Sequence, residues 1–136
     1  MTLNGFDTHA NRPGVHAALL TQLAEGLLVL REALKEIGAW DTTVVATYSE
    51  FGRRPAQNQS NGTDHGTVAP HFVMGGKVRG GFHGAAPDLA RLDGAGNPAH
   101  GVDFRDYFAT FLSRWWDIAP ATVMGAGRKP LEFLAW

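Results

Sequence analysis

The chain contains no cysteine in its 136 residues. This excludes a disulfide framework and a thiolate centre, so any metal ion must be held by His, Asp or Glu. It leaves the compartment open, because cysteine-free chains live on both sides of a membrane. Net charge is also scarce: 12 Lys and Arg are interspersed with 13 Asp and Glu, leaving -1 at pH 7. Such a balance offers no electrostatic footprint for nucleic acid or anionic lipid, and neither partner is expected. The first residues, MTLNGFDTHANRPG, lack a basic region followed by an apolar run, so no export signal is read there. No stretch is read as approaching the length of a membrane helix, and no membrane is expected as a partner.

What is present is an ordinary globular composition, 44% apolar and 18% charged. At this length the chain suits one domain with one core, read here as residues 1–136. After Pro13 and Gly14, the residues Val15, Leu19, Leu23, Leu27, Leu30, Leu34 and Ile37 recur at steps of three and four, which predicts a long helix. Gly38 suits its C-terminal cap, and Arg31 and Lys35 suit the negative end of its dipole. Gly26 interrupts it at a cost of about 1 kcal/mol relative to Ala, which predicts close packing at that point.

The β-branched run Thr42 to Thr47 predicts a buried strand, and a helix followed directly by such a strand implies an α/β layer. Pro55 to Thr63 has loop chemistry, and Pro70 to Met74 is a candidate second strand ended by Gly75-Gly76. Gly80 to Gly101 has no periodicity and reads as a long excursion, of the kind that is functional or rests on a neighbouring surface. Asp103 is placed to cap a second helix, with Asp106 in the capping-box position. Phe104, Tyr107, Phe108, Phe111, Leu112, Trp115 and Trp116 then give that helix an aromatic face expected to pack on the sheet. The apolar tail, Leu131 to Trp136, must be covered by something.

Five residues fall where this organisation would build a site: Asp7 and His9 before the long helix, Glu50 past the first strand, and Asp64 and His65 before the second. In open α/β sheets ligands collect at the carboxyl ends of strands, and a parallel sheet would bring Glu50 to that edge. Asp7 and His9 are two residues apart, so in an extended segment they share a face. Carboxylates with imidazoles and no thiols suit Zn first, then Mn or Fe, with Mg or Ca where oxygen ligands dominate.

Arg53 and Arg54 follow the Glu50 turn. Their guanidinium forks either bind a phosphate or sulfate oxygen or pair with Glu50 or Asp64 to hold the loop. Asn58 and Asn61 are expected to order their loop through side-chain turns. His16 is expected to be an exposed helical residue, with a supporting role beside the site as the alternative. His71, His83 and His100 read as surface or loop residues. The Gly-Gly pairs at 75–76 and 80–81 are turns, not a dinucleotide fingerprint, because no suitable helix follows.

Three motifs in order, GFDTHANR, SEFGRR with an Asn-rich loop, and GTDHG running into two Gly-Gly turns, resemble the C-terminal part of the domain of unknown function 1501 family. That family is grouped with the alkaline phosphatase-like superfamily, which includes sulfatases and cofactor-independent phosphoglycerate mutases. The resemblance implies a partial three-layer α/β sandwich. Its short, mostly parallel sheet would be packed by the long N-terminal helix and the aromatic C-terminal helix. It implies divalent metal chemistry on phosphate or sulfate esters. His9 and His65 would match histidine ligands, and Asp7 and Asp64 their carboxylate partners. Two departures stand out: Thr8 alone separates Asp7 from His9 where the superfamily has three residues, and Glu50 with Phe51 replaces an Asp-His pair. The superfamily takes its first metal-binding Asp and its Ser or Thr nucleophile from segments preceding the matched portion, and nothing matches Thr8, Thr47 or Ser49 to that nucleophile. Members are also often exported to the periplasm.

Two functions follow as expectations. One is a metal-binding part of a phosphate or sulfate ester hydrolase, incomplete for catalysis as given and completed by a missing N-terminal portion. The other is a non-catalytic structural or interaction module, in which the same polar residues form a hydrogen-bonded network. A truncated chain that self-associates through an exposed sheet edge is the third expectation.

Overall fold

The structure is a computed structural model and describes residues 2–10 and 13–135. Its elements are helix α1 (Pro13–Glu36), a 3-10 turn (Trp40–Thr42), strands β1 (Val44–Ala46), β2 (Gly52–Gln57), β3 (Thr63–Gly66) and β4 (Val73–Gly75), and helices α2 (Phe104–Arg114) and α3 (Ala121–Met124).

Helix α1 forms where the three-and-four spacing of Leu residues predicts it, and spans about 36 Å at 1.5 Å per residue. It ends as Gly38 allows. With φ at 69°, the Gly38 N–H donates to the Lys35 carbonyl at 3.0 Å and the Ala39 N–H to the Leu34 carbonyl at 2.8 Å. These two bonds satisfy carbonyls that the helix end would otherwise leave open. Among its described residues only Leu19 is buried, held over Gly5. Val29 and Ile37 are 68% and 74% exposed. The expected close packing at Gly26 is absent, since a methyl group there would meet nothing within 4 Å. The reading of membrane length also needs correction: α1 is long and apolar enough to cross a membrane by length and composition, with mean hydropathy 1.3 over its most apolar window. The core helix of a folded domain and an N-terminal signal sequence meet the same criterion, and this window is 6% buried.

β1 and β4 pair antiparallel, Val44 with Gly75 and Ala46 with Val73. Gly75 is required there, because a Cβ would lie 2.3 Å from the Thr43 carbonyl oxygen. β2 and β3 form a second antiparallel pair, with Arg53 opposite His65. The chain is therefore mixed α/β with two small two-stranded sheets, and the described residues contain no parallel pairing. Parallel neighbours need a crossover of a dozen or more residues, usually helical, whereas the segment between β1 and β4 holds the β2–β3 hairpin. That hairpin also shortens the expected loop. Pro55 to Gln57 and Thr63 lie in strands, and Pro55 is tolerated because the ladder register shifts between Arg53 and Gln57.

The core lies under α2. Tyr107 and Phe111 pack edge to face with centroids 5.1 Å apart, and Phe111 meets Phe133 at 5.5 Å. Phe133 and Leu134 are almost wholly buried, with Val44, Val73, Val78 and Val102 against the cluster. The aromatic face thus packs on the β1–β4 sheet as expected, except that Phe104 and Trp116 remain exposed. The tail's covering is α2 and the segment after β4: Arg79 N–H donates to the Phe133 carbonyl and Leu131 N–H to the Thr110 hydroxyl, both at 2.8 Å. Trp136 lies outside the described residues. Asp103 caps α2 by accepting from the Arg105 N–H at 2.8 Å. Asp106 does not complete a capping box, because its carboxylate accepts instead from the Lys129 N–H at 3.0 Å and tethers the tail.

Candidate metal centre

The segment before α1 runs as a strap along the β2–β3 hairpin. Thr63 N–H donates to the Thr8 carbonyl at 3.4 Å, and Ala10 makes an antiparallel bridge with Asn61. Gly62 lets the strap come close, since a Cβ there would sit 2.3 Å from the His9 carbonyl carbon. Asn58 fixes the far end. Its side-chain oxygen accepts from the Ser60 and Gly62 N–H groups, closing the turn, while its amide donates to the His9 carbonyl at 3.0 Å. The side-chain turn expected of Asn58 is therefore present, and it has a second duty in holding His9. Asn61 adopts the left-handed conformation, φ 55°, in the same turn.

Held this way, Asp7 and His9 point the same way, as their spacing requires, and His65 reaches them from β3. Asp7 Oδ1 lies 2.8 Å from His9 Nε2 and 2.8 Å from His65 Nε2, and the two imidazole nitrogens are 2.9 Å apart. All three residues are exposed, so the donors are open to solvent. The Phe51 ring stacks on His65 at 3.6 Å with planes 12° apart, fixing the orientation of that imidazole. Arg53 donates to Asp7 Oδ1 at 2.7 Å. The hydrogen bond from His65, aided by that of Arg53 and by the charges of both histidines, holds the Asp7 carboxyl below the usual carboxylate range against the opposing cost of burial.

The triangle leaves a question of where its protons lie. Each edge is at hydrogen-bond length, yet a neutral imidazole places either a proton or a lone pair at Nε2. If both histidines donate to Asp7, their protons face each other. If one accepts from the other, it presents a lone pair to the carboxylate. A divalent cation placed above the triangle would be met by all three lone pairs. With bonds of about 2.1 Å, ligand atoms are about 3.0 Å apart at right angles and about 3.4 Å apart in a tetrahedron. The observed edges are near the first value. Two histidines and one carboxylate on a single face suit Zn, Mn or Fe.

Three of the five expected residues meet here and two do not. Asp64 turns to the Asn58 amide, accepting at 3.0 Å, and so supports the residue that holds His9. Glu50 is exposed in the bend before β2 and makes no hydrogen bond or ion pair with the described residues. Its expected place rested on a parallel sheet edge that the described strands do not form. Arg53 and Arg54 leave β2 on opposite sides, as successive strand residues must. Arg54 donates through Nε to the His65 carbonyl at 3.1 Å and acts on Asp93, making no ion pair with Asp7. Of the candidate hydroxyls, Ser49 donates to the Phe51 carbonyl and Thr47 accepts from the Phe72 N–H.

His16 packs edge-on against Phe6. His71 and His83 are exposed loop residues as expected, with His71 stacked on Tyr107, where partial burial pushes its pKa down, and His83 bonded to the Arg79 carbonyl at 2.9 Å.

Each of the three motifs contributes a part of this centre. GFDTHANR carries Asp7 and His9, SEFGRR carries Phe51 and Arg53, and the Asn-rich loop with GTDHG carries Asn58, Gly62 and His65. The family described as "Protein of unknown function (DUF1501)" matches residues 1–125. The chain belongs to the DUF1501 family. That match takes in the whole triad and its supports, so in this DUF1501 chain the centre sits within the family's own sequence. No curated protein and no solved structure matches the chain.

Proposed function

We propose that this DUF1501 chain holds a divalent metal ion on Asp7, His9 and His65, and that it serves as the metal-binding part of a hydrolase for phosphate or sulfate esters. The observation that carries the metal reading is the triangle of one carboxylate oxygen and two imidazole nitrogens, with edges of 2.8, 2.8 and 2.9 Å. Zn is the first choice from the donor set, with Mn, Fe, Mg or Ca as alternatives. A bound ion would supply positive charge at an ester oxygen and lower the pKa of a bound water. The chain's own residues hold the donors in place, and the Phe51 ring stacked flat on His65 leaves the in-plane lone pair of Nε2 uncovered.

The ester substrate, and an alkaline phosphatase-like sandwich completed by further segments, belong to this proposal through the family resemblance. The resemblance matches none of Thr8, Thr47 and Ser49 to the nucleophile of that chemistry. On the family resemblance the hydroxyl nucleophile comes from a segment preceding the matched portion, while a metal-bound water is the nucleophile that the triad itself would supply.

A second reading is favoured by one observation: Arg53 neutralises Asp7 directly, as expected of a structural polar network in a non-catalytic module. Titration of the chain with Zn²⁺ or Mn²⁺ separates the two. A metal centre binds the ion, loses it in His65→Ala, and melts higher with the ion than with chelator, by about 4 kcal/mol at a thousandfold excess over Kd. A melt indifferent to ions and chelator leaves the polar network standing.

A further inference from the structure

The guanidinium of Arg53 is committed to the protein. Nη1 donates to the Thr63 carbonyl at 2.7 Å, and Nη2 donates to the Phe6 carbonyl at 2.8 Å and to Asp7 Oδ1 at 2.7 Å. The two protons of Nη2 are thereby used, and the fork joins three places at once: β3, the strap backbone and the strap's carboxylate. The Arg53 side chain is only 22% exposed, and the Phe51 ring lies 5.2 Å from its guanidinium carbon. Since Phe51 also stacks on His65, the two sides of the centre are registered against one aromatic plane. A planar, rigid fork suits this three-point duty, whereas the single ammonium of lysine does not reproduce its geometry.

Resting on the metal reading above, we infer that Arg53 is a positioning residue for the metal centre, setting Asp7 beside His65, and is not a substrate-binding arginine. Electrostatics gives the inference a distinctive sign. Arg53 is a cation beside a cation site, so on Coulomb grounds alone its removal favours metal binding. A loss of affinity on removal therefore reports lost geometry.

The test uses the full chain with Co²⁺ as the probe, read by calorimetry and by its visible absorption, for wild type, Arg53→Gln, Arg53→Lys and His65→Ala. The expected result is binding that is at least tenfold weaker in both Arg53 variants, with an altered Co²⁺ spectrum, and abolished in His65→Ala. Arg53→Lys keeps the charge, so its loss isolates the fork. Equal or tighter binding in the Arg53 variants, with wild type binding normally, overturns the positioning role alone. Wild type that takes up no Co²⁺ overturns the metal reading and this inference with it. Far-UV circular dichroism of the metal-free variants completes the test: an Arg53→Lys chain that is unfolded without metal makes Arg53 a residue of the fold and overturns the narrower role.

Discussion

Gly62→Ala tests the assembly of the centre without touching a donor or a charge. A Cβ at residue 62 would lie 2.3 Å from the His9 carbonyl carbon, 2.4 Å from its oxygen and 2.6 Å from the Ala10 nitrogen. These are backbone atoms, so no side chain can swing aside. Ordinary contact needs about 3.5 Å or more, so the strap must retreat by about 1 Å. Three hydrogen bonds hold it to the hairpin through Phe6, Thr8 and His9 carbonyls. At a net 0.5–1.5 kcal/mol each, roughly 2–4 kcal/mol of docking is at stake. The expected outcome is a chain that keeps its α2 core but binds Zn²⁺ at least tenfold more weakly, since Asp7 and His9 ride on the strap. Isothermal titration with Zn²⁺, alongside circular dichroism, measures this. Wild-type affinity in Gly62→Ala would refute the argument, because it would show that the ion does not need the strap where it lies.

Other outcomes follow from the same contacts. Gly26→Ala meets open space inside α1 and should stabilise the chain by about 0.5–1 kcal/mol in urea unfolding, where a tightly packed glycine would give a loss. Phe133→Ala empties the centre of a small core and should cost about 3–5 kcal/mol, seen as loss of cooperative unfolding at 37 °C. Burial pushes the Tyr107 hydroxyl up to about 12, while an unfolded tyrosine ionises near 10. The folded state then holds the proton that the unfolded state releases, so this contribution is complete below pH about 10 and fades as pH rises toward 12. Tyr107→Phe should flatten that part of the stability profile while losing the bond to the Thr47 carbonyl.

Local signals in the sequence account for what could be read from it. The leucine spacing of α1, its Gly38 cap and the aromatic face of α2 are short-range patterns, and each appears in the structure. Pairing direction is not short-range. The run Thr42 to Thr47 looks the same whether its neighbour is parallel or antiparallel, so the sequence alone points Glu50 to an edge that the described strands do not have. Asp7 and His9 share a face because of local spacing, but the arrival of His65 depends on the β2–β3 hairpin, hidden by Pro55 in its first strand. The Asn-Gly step at residues 61–62 was the available clue to that hairpin, since it favours tight turns. Nothing in the order of residues marks Phe51 as a ring that lies flat on His65, because stacking partners so far apart in sequence are set only by tertiary contact.

His9 and His65 are 56 residues apart along the chain. On the proposed reading, a captured ion behaves as a reversible staple across that span, restricting the unfolded chain much as a covalent cross-link does. Loop-closure entropy for such a length is worth up to about 4 kcal/mol. Chelation would then undo the strap first, and limited proteolysis should nick the residues before α1 in the stripped chain while sparing them in the loaded one.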